Sequence, residues 1–315
     1  MKLTRDDVFA HSATGIAAAP LIVFGLKSDG AVLAAKTEER EFASYESMQV
    51  DNWTDIVALS ANEYQTLGLK SDGTVLVAGR DEDGNDEYGE TAVDDWENII
   101  AITAAPMHSV GLKADGTVVT TSITDEEMDA GQTDVNDWED IVMVAAGRYH
   151  TVGLKSDGTV VATQIADDDF NVGQSDVDDW EDIVMVTAAE FHTMGLKSDG
   201  TVLVAGESEY YQTEVDDWEN IISISTGEYH TVGLKADGTV IGVGGDPVAY
   251  ETRDELDGWR DIVAFSLGMQ YTVGLKADGT VVVSNFDVIS DWNDEKDLGL
   301  DTWNDIQNHP YGSRA

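Results

Sequence analysis

This sequence predicts an all-β chain folded as a seven-bladed β-propeller, and three observations carry that prediction. Gly-Leu-Lys-[Ser/Ala]-Asp-Gly begins at Gly25, Gly68, Gly111, Gly153, Gly195, Gly233 and Gly274, at intervals of 43, 43, 42, 42, 38 and 41 residues. Trp-x-[Asp/Asn]-Ile begins at Trp53, Trp96, Trp138, Trp180, Trp218, Trp259 and Trp303, and six of these Trp stand fifteen residues before a repeat Gly. No segment shows helical periodicity, and a repeat of about 40 residues made of short strands is one propeller blade.

The unit from Ile141 to Trp180 shows the elements in order. Ile141–Gly147 (IVMVAAG) is a short apolar run, as a strand buried on both faces requires. His150–Lys155 (HTVGLK) is the second strand, and Ser156-Asp157-Gly158 turns the chain into the third, Thr159–Thr163 (TVVAT). Asp-Gly between β-branched runs is a hairpin signal because Gly accepts the positive φ of the turn. After an acidic loop, Gln174–Trp180 (QSDVDDW) reads as a fourth, edge strand. Small residues ending the first strand place it innermost, at the narrow channel, with the Trp strand outermost and its indole between neighbouring blades. Each blade is thus expected to be a four-stranded antiparallel sheet, and the closed ring removes long exposed edges.

The first unit has Ala10 where a Trp would stand, and the last Trp-x-Asp-Ile, Trp303–Ile306, lies at the C-terminal end. That segment is expected to dock beside the strand near Ala13–Ala18 and close the ring. The chain is then a single propeller domain over 1–315, with repeats at about 13–53, 54–96, 97–138, 139–180, 181–218, 219–259 and 260–303, and a tail over 304–315.

The 62 Asp+Glu against 17 Lys+Arg give a formal net charge of −45. Carboxylates at this density repel one another and destabilise a compact state. High salt relieves the repulsion, since the Debye length shrinks to about 3 Å at 1 M. The composition therefore points to a salt-rich organism and a cytoplasmic location, with a virion or extracellular surface as the alternative. The charge repels phosphate backbones and anionic membrane surfaces, so neither nucleic acid nor membrane is an expected partner. Cysteine is absent, which removes disulfides, thiolate metal sites and thiol nucleophiles. The apolar run Thr14–Gly25 loosely imitates a signal peptide but continues into the first repeat, and is expected to be two strands.

Gly147-Arg148-Tyr149-His150-Thr151-Val152-Gly153-Leu154-Lys155-Ser156-Asp157-Gly158, repeated in kind over Gly227–Gly238, resembles the repeat of the regulator-of-chromosome-condensation family. The loop Gly84–Gly89 and the pair Gly173-Gln174 resemble a second element of that repeat. The resemblance covers about residues 13–306 and implies a seven-bladed propeller. Members include a guanine-nucleotide exchange factor for a small nuclear GTPase that also binds chromatin, and interaction modules for unrelated partners. The short repeats and acidic composition of this chain depart from the family and speak against chromatin.

Residues with chemical potential have plainer roles. His108, His150, His192 and His230 stand three residues before a repeat Gly, where Gln65 and Tyr271 replace them, so a structural polar bond is expected rather than a zinc site. The acidic stretches Asp81–Glu87 and Ala166–Phe170 do not match a calcium loop. No nucleophile, phosphate loop or carboxylate pair stands out, so no catalytic residue, metal or cofactor is expected and the chain is read as no enzyme. The repeat lysines are expected in inter-blade pairs, Lys155 with Asp140 or Asp182. Lys155, Asp157 and Gly158, with the seven Trp, are the structural signature of the repeat.

Function is read from what varies between the units. The Ser/Ala-Asp-Gly hairpins share one face and are nearly identical. The connections on the opposite face differ, and they carry aromatic, Met and Arg side chains suited to recognition. The candidate partner-binding residues are Tyr64, Arg80, Met107, Arg148, Tyr149, Phe191, Tyr229 and Met269, with Arg253 on the same face. The first expectation is a non-enzymatic scaffold that binds a protein through this face in high salt. A virion or appendage decoration module of a halophile is the second, and a nucleotide-exchange factor for a small GTPase the third.

Overall fold

A computed structural model describes residues 15–19, 22–36, 49–79, 89–167, 169–207, 210–245, 256–268, 271–284, 300, 303, 305 and 306. Their strands form seven separate three-stranded antiparallel sheets. In chain order these are Ile16–Ala19 (β1), Ile22–Leu26 (β2), Val32–Lys36 (β3); Ile56–Ala61 (β4), Thr66–Lys70 (β5), Val75–Ala78 (β6); and Ile99–Ala104 (β7), Ser109–Lys113 (β8), Val118–Thr120 (β9). There follow Ile141–Ala146 (β10), Thr151–Lys155 (β11), Val160–Ala162 (β12); Ile183–Ala188 (β13), His192–Lys197 (β14), Val202–Gly206 (β15); Ile221–Thr226 (β16), His230–Lys235 (β17), Val240–Gly244 (β18); and Ile262–Leu267 (β19), Thr272–Lys276 (β20), Val281–Val283 (β21). Each sheet is one blade, and the chain is an all-β propeller of seven blades.

The first strands ring a central channel of about 240 Å³ lined by small side chains such as Ala58, Ser60, Ala101, Ala145, Ser225 and Ser266. Every first strand packs against those before and after it, and β1 packs against both β4 and β19. The seventh blade is tied to the first by the Ala18 amide, which donates to Ser266 Oγ at 3.0 Å, and by the Tyr271 hydroxyl, which donates to the carbonyls of Ala19 and Ile22. Middle strands have a sheet neighbour on each edge and a blade on each face, so Thr151, Val152 and Leu154 are fully buried.

The repeat motif has a local reason at each position. Gly158 donates to the Lys155 carbonyl at 3.0 Å and sits at φ +89, while Lys155 donates to the Thr159 carbonyl at 2.9 Å. This is a turn closed by a residue in the left-handed region, which Gly adopts without strain. Asp157 Oδ1 accepts from the Thr159 hydroxyl at 2.7 Å and from its amide at 3.0 Å. These bonds hold the Asp157 carboxyl below the usual carboxylate range. Gly153 is required by contact: a Cβ there would stand 2.8 Å from the Trp138 ring. The same indole-on-glycine contact recurs at Trp53, Trp96, Trp180, Trp218, Trp259 and Trp303, which cover Gly68, Gly111, Gly195, Gly233, Gly274 and Gly25.

Two expectations are corrected. The Trp-bearing segment is not a fourth strand among the described residues: Asp134, Val135 and Trp138 donate to Gly131, Thr133 and Val135, so successive turns consume the amides that a ladder needs. Asp140 then takes φ +60, and its carbonyl accepts from Ser156 at 3.0 Å. That backbone contact is what the Asp of Trp-x-Asp-Ile supplies. Lys155 makes no ion pair with Asp140 or Asp182. The lysines that pair, Lys27 and Lys70, reach the Asp of their own turn, Asp29 and Asp72, at 3.7 Å. The intervening turn residue is short enough for a Lys to fold back on it, whereas Asp140 is committed through its main chain.

At the first blade Trp303 lies over Gly25, Ser28 donates to the Asp305 carbonyl at 3.1 Å, and Ile306 forms an isolated bridge with Lys27. Ile306 shares a buried cluster with Ile16 and Ala18. Ala13 and the tail beyond Ile306 lie outside the described residues.

Buried polar side chains join blade to blade. His108 Nε2 meets Thr151 Oγ1 at 2.8 Å and His150 Nε2 meets Thr193 Oγ1 at 2.7 Å. His192 contacts Thr226 in the same way, and His230 reaches Thr272 at 3.0 Å. The Thr151 hydroxyl donates to the Gln132 carbonyl and the Thr193 hydroxyl to that of Gln174, so both oxygens accept from a neutral imidazole N–H. Gln65 does the same work, donating to the Ala105 carbonyl and accepting from Ser109. Burial lowers the His108 and His150 pKa values to about 3 and those of His192 and His230 to about 4.

Candidate interaction face

The two faces of the propeller differ in what their connections leave unspent. On the hairpin face, Asp72, Asp115, Asp157, Asp199, Asp237 and Asp278 each accept from a Thr two residues on. On the opposite face the connection between first and second strands also has one backbone form. Asn62, Ala105, Gly147, Ala189, Gly227 and Gly268 each donate to the carbonyl three residues later. The variation between blades lies in side chains mounted on one repeated turn.

Four of those side chains meet at the channel mouth. Arg148 of the fourth blade reaches Glu63 of the second at 3.4 Å and Glu190 of the fifth at 3.5 Å. Burial opposes the Arg148 charge, but the Tyr64 hydroxyl, Glu190 and Glu63 more than offset it, so its pKa is raised. Glu190 is pushed up by burial, with Arg148 pulling it down and Glu228 and Glu63 pushing it up again. Glu228, though reached by solvent, is pushed up by partial burial; the Tyr229 hydroxyl offsets part of that and Glu63 adds to it. Three carboxylates thus gather around one guanidinium, which pairs with two of them, above a cavity of about 170 Å³. Asn62 Nδ2 and Arg148 Nε are buried there without an acceptor.

Outside the mouth the aromatics fall into two groups. Met107, Ala130, Tyr149 and Ile165 form a buried cluster, with Ile123, Met128, Phe170 and Phe191 against it. Tyr149 stacks on Phe170 with centroids 4.2 Å apart. Between the fifth and sixth blades Tyr210 meets Tyr229 edge-on at 4.8 Å, and Tyr211 is 59% exposed. The loops are built alike. Gln132 Oε1 accepts from Ala130 and Gln174 Oε1 from Val172, each following a Gly at positive φ, Gly131 and Gly173. Gln212 Oε1 accepts from Tyr210, but the residue before it is Tyr211, at φ +62.

The structure therefore separates the residues singled out from sequence. Arg148, Tyr64 and Tyr229 stand at or beside the mouth. Met107 and Tyr149 are 2% and 7% exposed, inside the covered cluster, and Phe191 packs against it. Met107 and Tyr149 seal a blade end rather than present a surface, because the loops after β9 and β12 fold over them, whereas Phe191 is only partly covered. Arg80, Arg253, Met269 and the stretch Asp81–Glu87 lie outside the described residues. Sequence reasoning passed over Glu63, Glu190 and Glu228, although each immediately precedes the aromatic of its turn, and over Tyr210 and Tyr211. Among the described residues no group of three His, Asp or Glu is placed to hold a metal ion, and no helix is long and apolar enough to cross a membrane.

Comparison with known proteins bears on the fold. Residues 221–247 match the family model of the Regulator of chromosome condensation (RCC1) repeat. Among curated proteins none matches the sequence. The chain is similar to the CRINKLY WD40 ectodomain of the Arabidopsis thaliana receptor kinase ACR4, at 18% identity and TM-score 0.66, over 87% of this chain and 95% of that one. The Physcomitrella patens receptor kinase CR4 ectodomain gives 16% and 0.65, over 86% and 72%. Prp20p of Saccharomyces cerevisiae, described with its binding to Gsp1p and histones, gives 14% and 0.59, over 89% and 84%. Identities this low establish a shared fold and nothing about partners.

Proposed function

We propose that this chain, a seven-bladed propeller carrying the Regulator of chromosome condensation (RCC1) repeat, is a non-enzymatic scaffold that binds a protein partner through the face opposite its Asp-Gly hairpins. One observation carries the reading. The hairpin face spends its turn aspartates on its own Thr residues, whereas the opposite face holds Arg148, Glu63, Glu190 and Glu228 together, with two buried donors unsatisfied. Unpaired buried donors cost about 1–3 kcal/mol each, and a bound partner recovers that cost. Prp20p, a structural relative, is described with its binding to Gsp1p and histones, which fits the same use of the fold. The net charge of −45 supports work in concentrated salt inside the cell. Closure of the ring by the Trp303–Ile306 segment belongs to the same proposal, because Asp305 repeats toward Ser28 the contact that Asp140 makes with Ser156.

Affinity capture in salt of about 1 M, where surface attraction is screened, tests the scaffold. Arg148→Ala/Tyr229→Ala is expected to lose the captured partner, while Lys155→Ala/Asp157→Asn on the hairpin face keeps it. Equal capture by both variants would reject this face as the site.

A further inference from the structure

We propose that the channel mouth receives one basic side chain, Arg or Lys, carried on an extended segment of the protein partner, with Tyr229, Tyr210 and Tyr211 forming the wall beside it. This rests on the scaffold reading and names the chemistry of what the scaffold binds.

Charge at the mouth is the first ground. Glu63 and Glu190 share Arg148, and Glu228 has no cation within ion-pair distance among the described residues. The mouth carries three carboxylates and one guanidinium, so a second cation balances it better than water does. The cavity beneath, about 170 Å³, is lined by Asn62, Glu63, Arg148, Glu190 and Glu228. It holds about six waters at about 30 Å³ each, space for the end of one long side chain.

The second ground is the pair of orphaned donors. Asn62 Nδ2 and Arg148 Nε are buried at the same mouth and meet no acceptor. A bare metal ion or a free ammonium ion would leave both unsatisfied. A peptide segment brings carbonyl oxygens along with its cation, so carboxylates and donors find partners in one ligand.

The third ground is independent of charge. Tyr211 stands where Gly131 and Gly173 stand in neighbouring units, and like them takes a positive φ, +62. A bulky residue in that region is strained, and strain of this kind collects at functional positions. The ring is 59% exposed, so it does not repay the strain through burial in its own blade. Immediately before it Tyr210 packs edge-on against Tyr229, whose hydroxyl faces Glu228. Gln212 Nε2 donates to the Glu228 carbonyl at 3.1 Å and ties the two elements together. Tyrosine faces attract guanidinium and ammonium groups, and carboxylates beside them add to the attraction.

The test uses the full chain and two probes, the peptide acetyl-Gly-Gly-Arg-Gly-Gly-amide and its citrulline counterpart, which keeps the shape and removes the charge. Binding is followed by NMR titration in salt of about 1 M, so that the general acidity of the surface is screened. The arginine peptide is expected to bind at least about tenfold more tightly than the citrulline peptide, and Glu190→Gln/Glu228→Gln to remove most of that difference. Asp178→Asn/Asp179→Asn, two exposed acids elsewhere, is expected to leave it intact. Tyr211→Gly, which restores the residue of the sister blades, is expected to weaken binding several-fold while the protein melts no lower. Equal binding of the two peptides, or equal weakening by both acid-to-amide pairs, overturns the proposal. Partner capture lost in Arg148→Ala/Tyr229→Ala but unchanged in Glu190→Gln/Glu228→Gln would leave the scaffold standing and remove the basic side chain from it.

Discussion

Tyr149 and Tyr229 occupy the same position of the repeat, each directly before a bridging histidine, and they meet opposite surroundings. Tyr149 is 7% exposed under Phe170, with Met128 and Ile123 from the neighbouring loop in the same cluster. Tyr229 is only half-buried and has Tyr210 for a ring neighbour, and Tyr211, next to Tyr210 in the chain, is 59% exposed. Loop length makes the difference. The loop before Tyr149 lies in the 42-residue spacing from Gly111 to Gly153 and is long enough to lay Ile123 and Met128 against its cluster. The spacing from Gly195 to Gly233 is 38, and that shortened loop delivers Tyr210 alongside rather than a lid above. One residue type in one repeat slot therefore serves as core in one blade and as surface in another.

Acid treatment has the largest expected effect, because the histidine bridges underlie both regions. His108, His150, His192 and His230 titrate near 6.5 when unfolded, and at about 3 to 4 when folded. Their contribution is complete above pH 6.5 and is lost as pH falls toward about 4, since only the unfolded chain takes up protons there. At about 1.4 kcal/mol per unit of displacement, each histidine loses about 3 kcal/mol across that window, so the four together suffice to unfold a domain of ordinary stability. Denaturant melts at stepped pH should show the steep fall, and His150→Gln, which copies Gln65 of the second blade, should make it shallower by about one proton. An unchanged slope would mean that His150 is protonated in the fold.

Truncating the two tyrosines separates the regions directly. Tyr149→Ala should cost about 3 kcal/mol, the range for a buried aromatic. Tyr229→Ala should cost about 1 kcal/mol, chiefly the edge-on contact with Tyr210. Equal losses in urea titrations would erase the distinction between covered and open aromatics. The smallest change should run the other way. Tyr211→Gly relieves a left-handed tyrosine and should raise stability by about 0.5–1 kcal/mol, read as a higher urea midpoint with an unaltered slope. A lower midpoint would show that the ring contributes packing its exposure conceals.

Much of the fold was legible because its causes are local. Seven Lys-x-Asp-Gly turns, each with a glycine at positive φ, announce seven hairpins, and a Trp fifteen residues before each of six repeat glycines announces the contact that forbids a side chain there. The fourth strand was misread because Asp-Val-Asp-Asp-Trp alternates like an edge strand, while its amides turn inward to carbonyls two and three residues back. The candidate site was legible in part. Arg148 and Tyr229 could be chosen as odd residues on a variable face, but the glutamates beside them vanish into a background of 62 acids.

The number of blades, the hairpin of each and the histidine slot between them are legible along the chain, since these follow from turn chemistry and spacing repeated within about 40 residues. That Arg148 reaches Glu63, 85 residues away, that Tyr149 is covered, and that Tyr211 is left in the open are products of the folded ring. Those outcomes depend on how loops from separate units meet once the ring has closed. No spacing along the chain encodes them, because burial is settled by neighbours in space.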